Sequence, residues 1–177
     1  MSLYLYEIVP DVEYGSQTAE LISEFAAAIA AAGGELIETQ VTAGGGRVFA
    51  VTEFAGCEAP RLPASAVNAA TLEGPDAVRL VGADLNQIKA ARPKAGYLVE
   101  WDLPVDLDMD SYLARKKANS PKYAAVPEVS FLRTYVREDM AKCLCFYDGP
   151  DEAAVLRARD AVSTPVDRLH ALDPGER

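Results

Sequence analysis

Glu7 and Glu100 are carboxylates in the middle of segments otherwise rich in Leu, Val, Ile and Tyr, Leu3 to Val9 and Tyr97 to Leu103. A carboxyl group in an apolar cavity has its pKa raised by desolvation and can exchange protons near neutrality. Three more segments carry polar groups two residues apart: Glu38 and Gln40, Arg133 and Tyr135, Arg168 and His170. On a strand, residues two apart share a face. A guanidinium and a phenol on one face can hold a carbonyl or developing enolate oxygen. Glu100, Glu7, Tyr135, Arg133 and His170 are therefore candidate catalytic groups, with Glu38, Gln40 and Arg168 as candidate ligand contacts. Such a set suits proton movement beside a carbonyl, as in isomerisation or cyclisation. A plainer reading stands beside it: carboxylates on exposed strand faces or in ordinary salt bridges, Tyr135 packed with its hydroxyl satisfied, and His170 on the surface.

The elements that would position these groups follow from periodicity. Leu3 to Val9 reads as a strand. Ser16 is placed to cap a helix running to about Ala32, with Leu21, Ile22, Phe25 and Ile29 on one face. Gly33 and Gly34 end it. Leu36 to Thr42 and Arg47 to Phe54 form a hairpin through the turn Ala43 to Gly46. A weak helix is expected near Ala64 to Ala70 and a closing strand at Ala77 to Val81. Asn86 to Ala95 reads as a polar linker. Tyr97 to Leu103 is the next strand, followed by a helix capped by Asp108, carrying Met109, Tyr112 and Leu113 and ending before Pro121. Val129 to Val136 and Cys143 to Tyr147 form a hairpin around Glu138 and Asp139. Asp151 caps a helix with Ala154, Val155 and Ala158 inward, and Val166 to Leu172 is the last strand.

Four segments recur in the same order in the two halves. Tyr4 to Glu7 matches Tyr97 to Glu100, Ile37 to Val41 matches Leu132 to Val136, Arg47 to Glu53 matches Lys142 to Asp148, and Val78 to Leu80 matches Asp167 to Leu169. Each half then reads β-α-β-β-α-β, the ferredoxin-like pattern. The expected architecture is α+β: one unit at residues 1–85, a linker at 86–95 and a second unit at 96–177. Each unit covers one sheet face with helices and leaves the other open. The expectation is that the two open faces pack together as a fused version of a dimeric α+β barrel, with a ligand cavity between them. Proteins of that architecture often work on small aromatic or polyketide-like substrates without a cofactor, an analogy at the level of fold.

The remaining groups read as structural. Cys57, Cys143 and Cys145 are an odd set, which disfavours disulfides. Cys143 and Cys145 share a strand face and lack the C-x-x-C spacing of redox and zinc motifs; buried free thiols are expected. The Gly44 to Gly46 run has no following G-K-[S/T] and is a turn. Asp102, Asp106, Asp108 and Asp110 complement a helix start, and Arg115-Lys116-Lys117 reads as a solvated face suiting that helix's C-terminus.

Composition narrows the partners. The chain has 177 residues, a net charge of −10, half its residues hydrophobic and a single histidine. The apolar fraction excludes disorder. The acidic balance argues against a nucleic-acid or anionic-membrane surface, and no apolar run approaches the ~20 residues of a membrane span. The N-terminus lacks a signal-peptide pattern, so a cytoplasmic protein is expected, as monomer or homodimer. One histidine excludes a His-rich metal cage within one chain.

Tyr97 to Asp173 resembles a bacterial domain family of unknown function that has a nickel-binding, ferredoxin-like member. The likeness rests on Phe131 to Asp139, on Cys143 to Pro150 and on Thr164 to Leu169, with a fainter echo in the first half. It implies a small-ligand-binding protein, with nickel among the ligands to test and no other cofactor. The chain departs from the family pattern at Arg133, where many members carry histidine; a guanidinium cannot ligate a metal, so no metal ligand set is carried over. Three functions are thus expected alternatives: a small-ligand or nickel-binding protein, a cofactor-free isomerase or cyclase, and a structural interaction module.

Overall fold

The computed structural model describes residues 1–11, 17–56 and 58–175. Among these are eight β-strands and four α-helices, an α+β fold with antiparallel pairing. The chain divides into two compact units. The first is Met1–Val78 with Asp84–Pro93 and Gly175–Arg177, and the second is Arg79–Ala83 with Lys94–Pro174. Among the described residues no helix is long and apolar enough to cross a membrane.

The first unit contains β1 (Ser2–Pro10), α1 (Thr18–Ala31), β2 (Gly34–Val41) and β3 (Val48–Phe54), then β4 (Ala69–Val81) and α2 (Leu85–Ala91). Its sheet has the order β2-β3-β1-β4. Helix α1 covers one face. Leu21, Phe25 and Ile29 from the expected stripe are buried against Tyr6, Ile8, Val48, Ala50 and Phe54, with Ile22 at the margin. The expected cap, Ser16, and the third cysteine, Cys57, lie outside the described residues.

Three expectations for this unit are corrected. The helix near Ala64 to Ala70 is only a 3-10 turn at Ala64–Ala66, because Pro60, Pro63 and the β-branched Val67 leave no run of helix formers. The closing strand is much longer than Ala77 to Val81, starting at Ala69. It bends at Gly74, whose φ is +107°; a Cβ there would lie 2.6 Å from the Leu5 carbonyl oxygen, at a register shift against β1, so only glycine fits. Finally, the expected linker is largely helical. Asp84 caps α2 by accepting from the Gln87 N–H at 3.1 Å, and Lys89 pairs with Glu35 at 2.9 Å and with Glu53.

The second unit contains β5 (Tyr97–Asp102), α3 (Met109–Asn119), a 3-10 helix at Ser120–Ala125, β6 (Ser130–Arg137), β7 (Lys142–Asp148), α4 (Glu152–Ala161) and β8 (Arg168–Ala171). Its strand order, β6-β7-β5-β8, is that of a ferredoxin-like sheet. The caps form as the sequence suggests: Asp108 accepts from the Ser111 N–H at 2.7 Å and Asp151 from the Ala154 N–H at 2.8 Å. The hydrogen bond from Ser111 holds the Asp108 carboxyl below the usual range. Helices α3 and α4 cover a core of Val99, Trp101, Tyr112, Val136, Cys143, Cys145, Tyr147, Val155 and Ala158.

Candidate functional site

Five of the eight expected site residues lie together on the face of the second unit's sheet that the helices do not cover. The registers set them in two rows. Tyr135, Leu144, Glu100 and Arg168 pair across β6, β7, β5 and β8, and Arg133, Phe146, Leu98 and His170 form the adjacent row. Glu100 is fully buried and is the hub. Its Oε1 accepts from Lys142 Nζ at 2.7 Å, and its Oε2 accepts from Arg168 Nε at 2.9 Å and lies 2.7 Å from His170 Nε2. Arg168 also forks onto Asp102 at 2.6 and 2.9 Å.

This network reverses the expected chemistry of Glu100. Burial alone would raise its pKa, but donors from Lys142, His170 and Arg168 outweigh burial and bring it to about 2. With its pKa so lowered, the carboxyl group is ionised at neutral pH and serves as the acceptor for these donors. The sequence supplied the apolar strand around Glu100 but not the register that brings three donors to it.

Arg133 and Tyr135 are buried on the same face, as expected, but pack on an aromatic ring. The Arg133 guanidinium lies 4.9 Å from the centre of the Phe146 ring, and Tyr135 meets that ring edge-on at 5.9 Å. Leu144 stands between Tyr135 and Glu100 in the row, a spacing of two strands, about 10 Å. Phe131 does not share this face. A bulge between Phe131 and Arg133 turns its ring to the helix side, stacked on Tyr123 at 5.6 Å.

The other three site residues belong to the first unit, on the face opposite α1. Glu7 and Gln40 both pair with Phe49, and Glu38 pairs with Val51. Glu7 accepts from Arg47 at 2.9 Å, and Gln40 donates to Glu38 at 3.0 Å.

On the helix side of the second unit, a cavity of about 30 Å³ lies between α3, the 3-10 helix, α4 and the sheet, room for about two waters. Trp101, Tyr112 and Tyr123 give it aromatic walls, Arg115, Lys116 and Arg159 give it cations, and Cys145 lies at its floor. Arg159 is 2% exposed. Its Nη1 donates to the Tyr147 hydroxyl at 3.1 Å and approaches Cys145 Sγ at 3.5 Å, and its Nη2 donates to the Pro165 carbonyl at 2.5 Å. Its buried Nε has no acceptor, the kind of group that calls for a partner.

The thiols here are not simple core hydrophobes. Cys143 and Cys145 are buried on one face, as the spacing implies, with sulfurs 3.9 Å apart. The hydrogen bond from Cys143 holds the Cys145 thiol well below its ordinary range; burial opposes this, and Arg159 and Lys116 reinforce it. Cys143 moves the other way, pushed up by that same bond and by burial. The Thr134 hydroxyl donates to the Leu144 carbonyl at 2.7 Å and lies 3.0 Å from Cys145 Sγ. Lys116 also departs from expectation. It is half-buried between the exposed Arg115 and Lys117: its Nζ sits 4.0 Å from the Phe131 ring centre and burial lowers its pKa. Arg115 lies over Trp101 at 5.6 Å. Sequence reading passed over this site. Its signal is Arg159 itself, which falls on the buried stripe Ala154, Val155, Ala158 of α4.

The groups present among the described residues do not fit nickel. Among the described residues there is no cluster of three or more His, Cys, Asp or Glu able to hold a metal ion. The one imidazole–carboxylate pair, His170 with Glu100, is loaded with Lys142 and Arg168, and two ammonium-type charges on that carboxylate repel a third cation.

Fold and site together define an α+β protein with a ferredoxin-like sheet and a small, cation-lined cavity in its second unit. Residues 97–172 match the family model described as nickel responsive protein SCO4226-like, which bears out the resemblance drawn from Phe131 to Leu169. The chain is similar to solved SCO4226 from Streptomyces coelicolor A3(2) at 16% identity, over 46% of this chain and 98% of that one, with a TM-score of 0.39. It is similar to the putative chlorite dismutase TA0507 at 13% identity, over 98% of this chain and 96% of that one, with a TM-score of 0.51. That likeness speaks for the fold alone. A microcompartment protein from Desulfitobacterium hafniense DCB gives 15% identity, over 99% of this chain and 95% of that one, with a TM-score of 0.29. No curated protein matches the chain.

Proposed function

We propose that this chain is a small-ligand-binding protein that takes a compact anion, such as a small carboxylate, into the helix-side cavity of its second unit. The observation that carries the reading is the buried Arg159, whose Nε has no acceptor beside a cavity that Lys116 and Arg115 also line. A carboxylate oxygen would complete the guanidinium's donor set, in a charge-assisted bond of the stronger kind. The family match supports ligand binding as the general role, and the ligand class comes from the cations. The two units are, on this proposal, copies of one βαββαβ plan, and only the second keeps the cavity.

Titration of the whole chain with sodium formate tests this, read by the fluorescence of Trp101, the single tryptophan and a cavity wall. A saturable change is expected that sodium chloride at equal ionic strength does not reproduce and that Arg115→Ala weakens. A linear, non-saturable response identical for both salts would overturn the reading.

A further inference from the structure

Cys145 is only 1% exposed, yet its sulfur forms part of the wall of a cavity that also holds Lys116 and Arg159. A structural thiol would be expected among apolar neighbours, whereas reactive thiols sit in electropositive surroundings with an approach path. Here the Arg159 Nη1 lies 3.5 Å from Sγ and the Cys143 sulfur 3.9 Å away. A guanidinium and a neighbouring thiol therefore meet one sulfur, beside a cavity that Lys116 also lines and that has room for about two waters.

We propose that Cys145 is an oxidant-reactive thiolate, converted to a sulfenic acid by a hydroperoxide small enough to enter the cavity, hydrogen peroxide being the smallest. The Cys145 sulfur attacks one peroxide oxygen, the S–O bond forms and the O–O bond breaks. Sulfur loses two electrons and the peroxide gains them. The departing hydroxide takes a proton from the Lys116 ammonium and leaves as water, and Lys116 regains its proton from solvent. Arg159 holds the sulfur's negative charge before attack. The depressed Cys145 and Lys116 pKa values agree with these roles. The reaction needs no bound anion, so it goes beyond the ligand-binding reading and stands or falls separately from it.

The test uses the full chain carrying Cys57→Ser, treated with hydrogen peroxide at neutral pH and followed by mass spectrometry of the peptide holding Cys143 and Cys145. One added oxygen on Cys145 is expected. Cys143→Ser should still take up the oxygen, and Cys145→Ser should take up none. Lys116→Met, on the cavity wall, should slow oxidation at least about tenfold, since the departing hydroxide loses its proton donor. Arg159→Met should slow it further, and Lys116→Met keeps the test informative if that variant does not fold. The proposal is overturned if the native peptide oxidises no faster than the same peptide in urea, or if the oxygen appears on Cys143.

Discussion

Arg159 and Cys145 form a buried cation–thiol pair: Nη1 and Sγ are 3.5 Å apart, and the guanidinium keeps one nitrogen, Nε, without an acceptor. Helix α4 supplies the arginine and β7 the cysteine. The oxidation chemistry starts from this pair and the anion reading from the guanidinium's Nε, because each needs a fixed positive charge where water is scarce.

Glu100 anchors the opposite sheet face, so its loss should be felt in stability. Glu100→Gln leaves Lys142, Arg168 and His170 without their shared carboxylate. Removing one partner of a buried ion pair costs about 3 kcal/mol, here at the low end because Arg168 and His170 reach solvent. The urea midpoint of the variant should fall accordingly. An unchanged midpoint would mean the network contributes nothing net.

Acid should act through the same group. The folded-state pKa of Glu100 is depressed from 4.5 to about 2, so the unfolded chain binds the proton first as pH falls. The stabilisation is full above about pH 4.5 and is lost as pH drops toward 2. Wild type should lose stability steeply across that window, and Glu100→Gln should lose less. Equal slopes would contradict the depressed pKa.

Nickel should bind poorly. Equilibrium dialysis of the full chain against nickel is expected to show no affinity tighter than about millimolar, since the Glu100 carboxylate beside His170 is already paired with Lys142 and Arg168. Stoichiometric binding at micromolar nickel would refute this and point to donors outside the described residues.

Two caps offer a control on local structure. Asp108→Ala and Asp151→Ala each remove a side-chain acceptor at a helix start and should each cost about 1 kcal/mol. Thermal unfolding measures this. Since α3 and α4 wall the cavity, the same variants should also weaken the formate response.

The helices, hairpins and caps of the second unit were legible in the sequence because Asp108, Asp151 and the apolar periods act locally. Glu100, Arg133, Tyr135, Arg168 and His170 were legible as one face because strand alternation has a strict period. Their chemistry was not, since the Lys142, Arg168 and His170 donors reach Glu100 through register across three strands. Phe131 escapes the strand alternation for a related reason: a single bulge shifts every preceding side chain to the other face. In the first unit, the helical reading near Ala64 failed against Pro63 and an early strand. The Arg159 cavity was missed because an arginine in an amphipathic helix is ordinarily solvated, and only packing shows that this one is not.

The most direct test of the anion site is a crystal structure of the full chain grown with sodium bromide, with the ion located by its anomalous signal. A bromide peak within hydrogen-bonding distance of Arg159 Nε, in the cavity beside Lys116, is the expected result. Bromide ordered elsewhere on the chain, with the cavity empty and Arg159 Nε turned to a protein acceptor, would contradict the account.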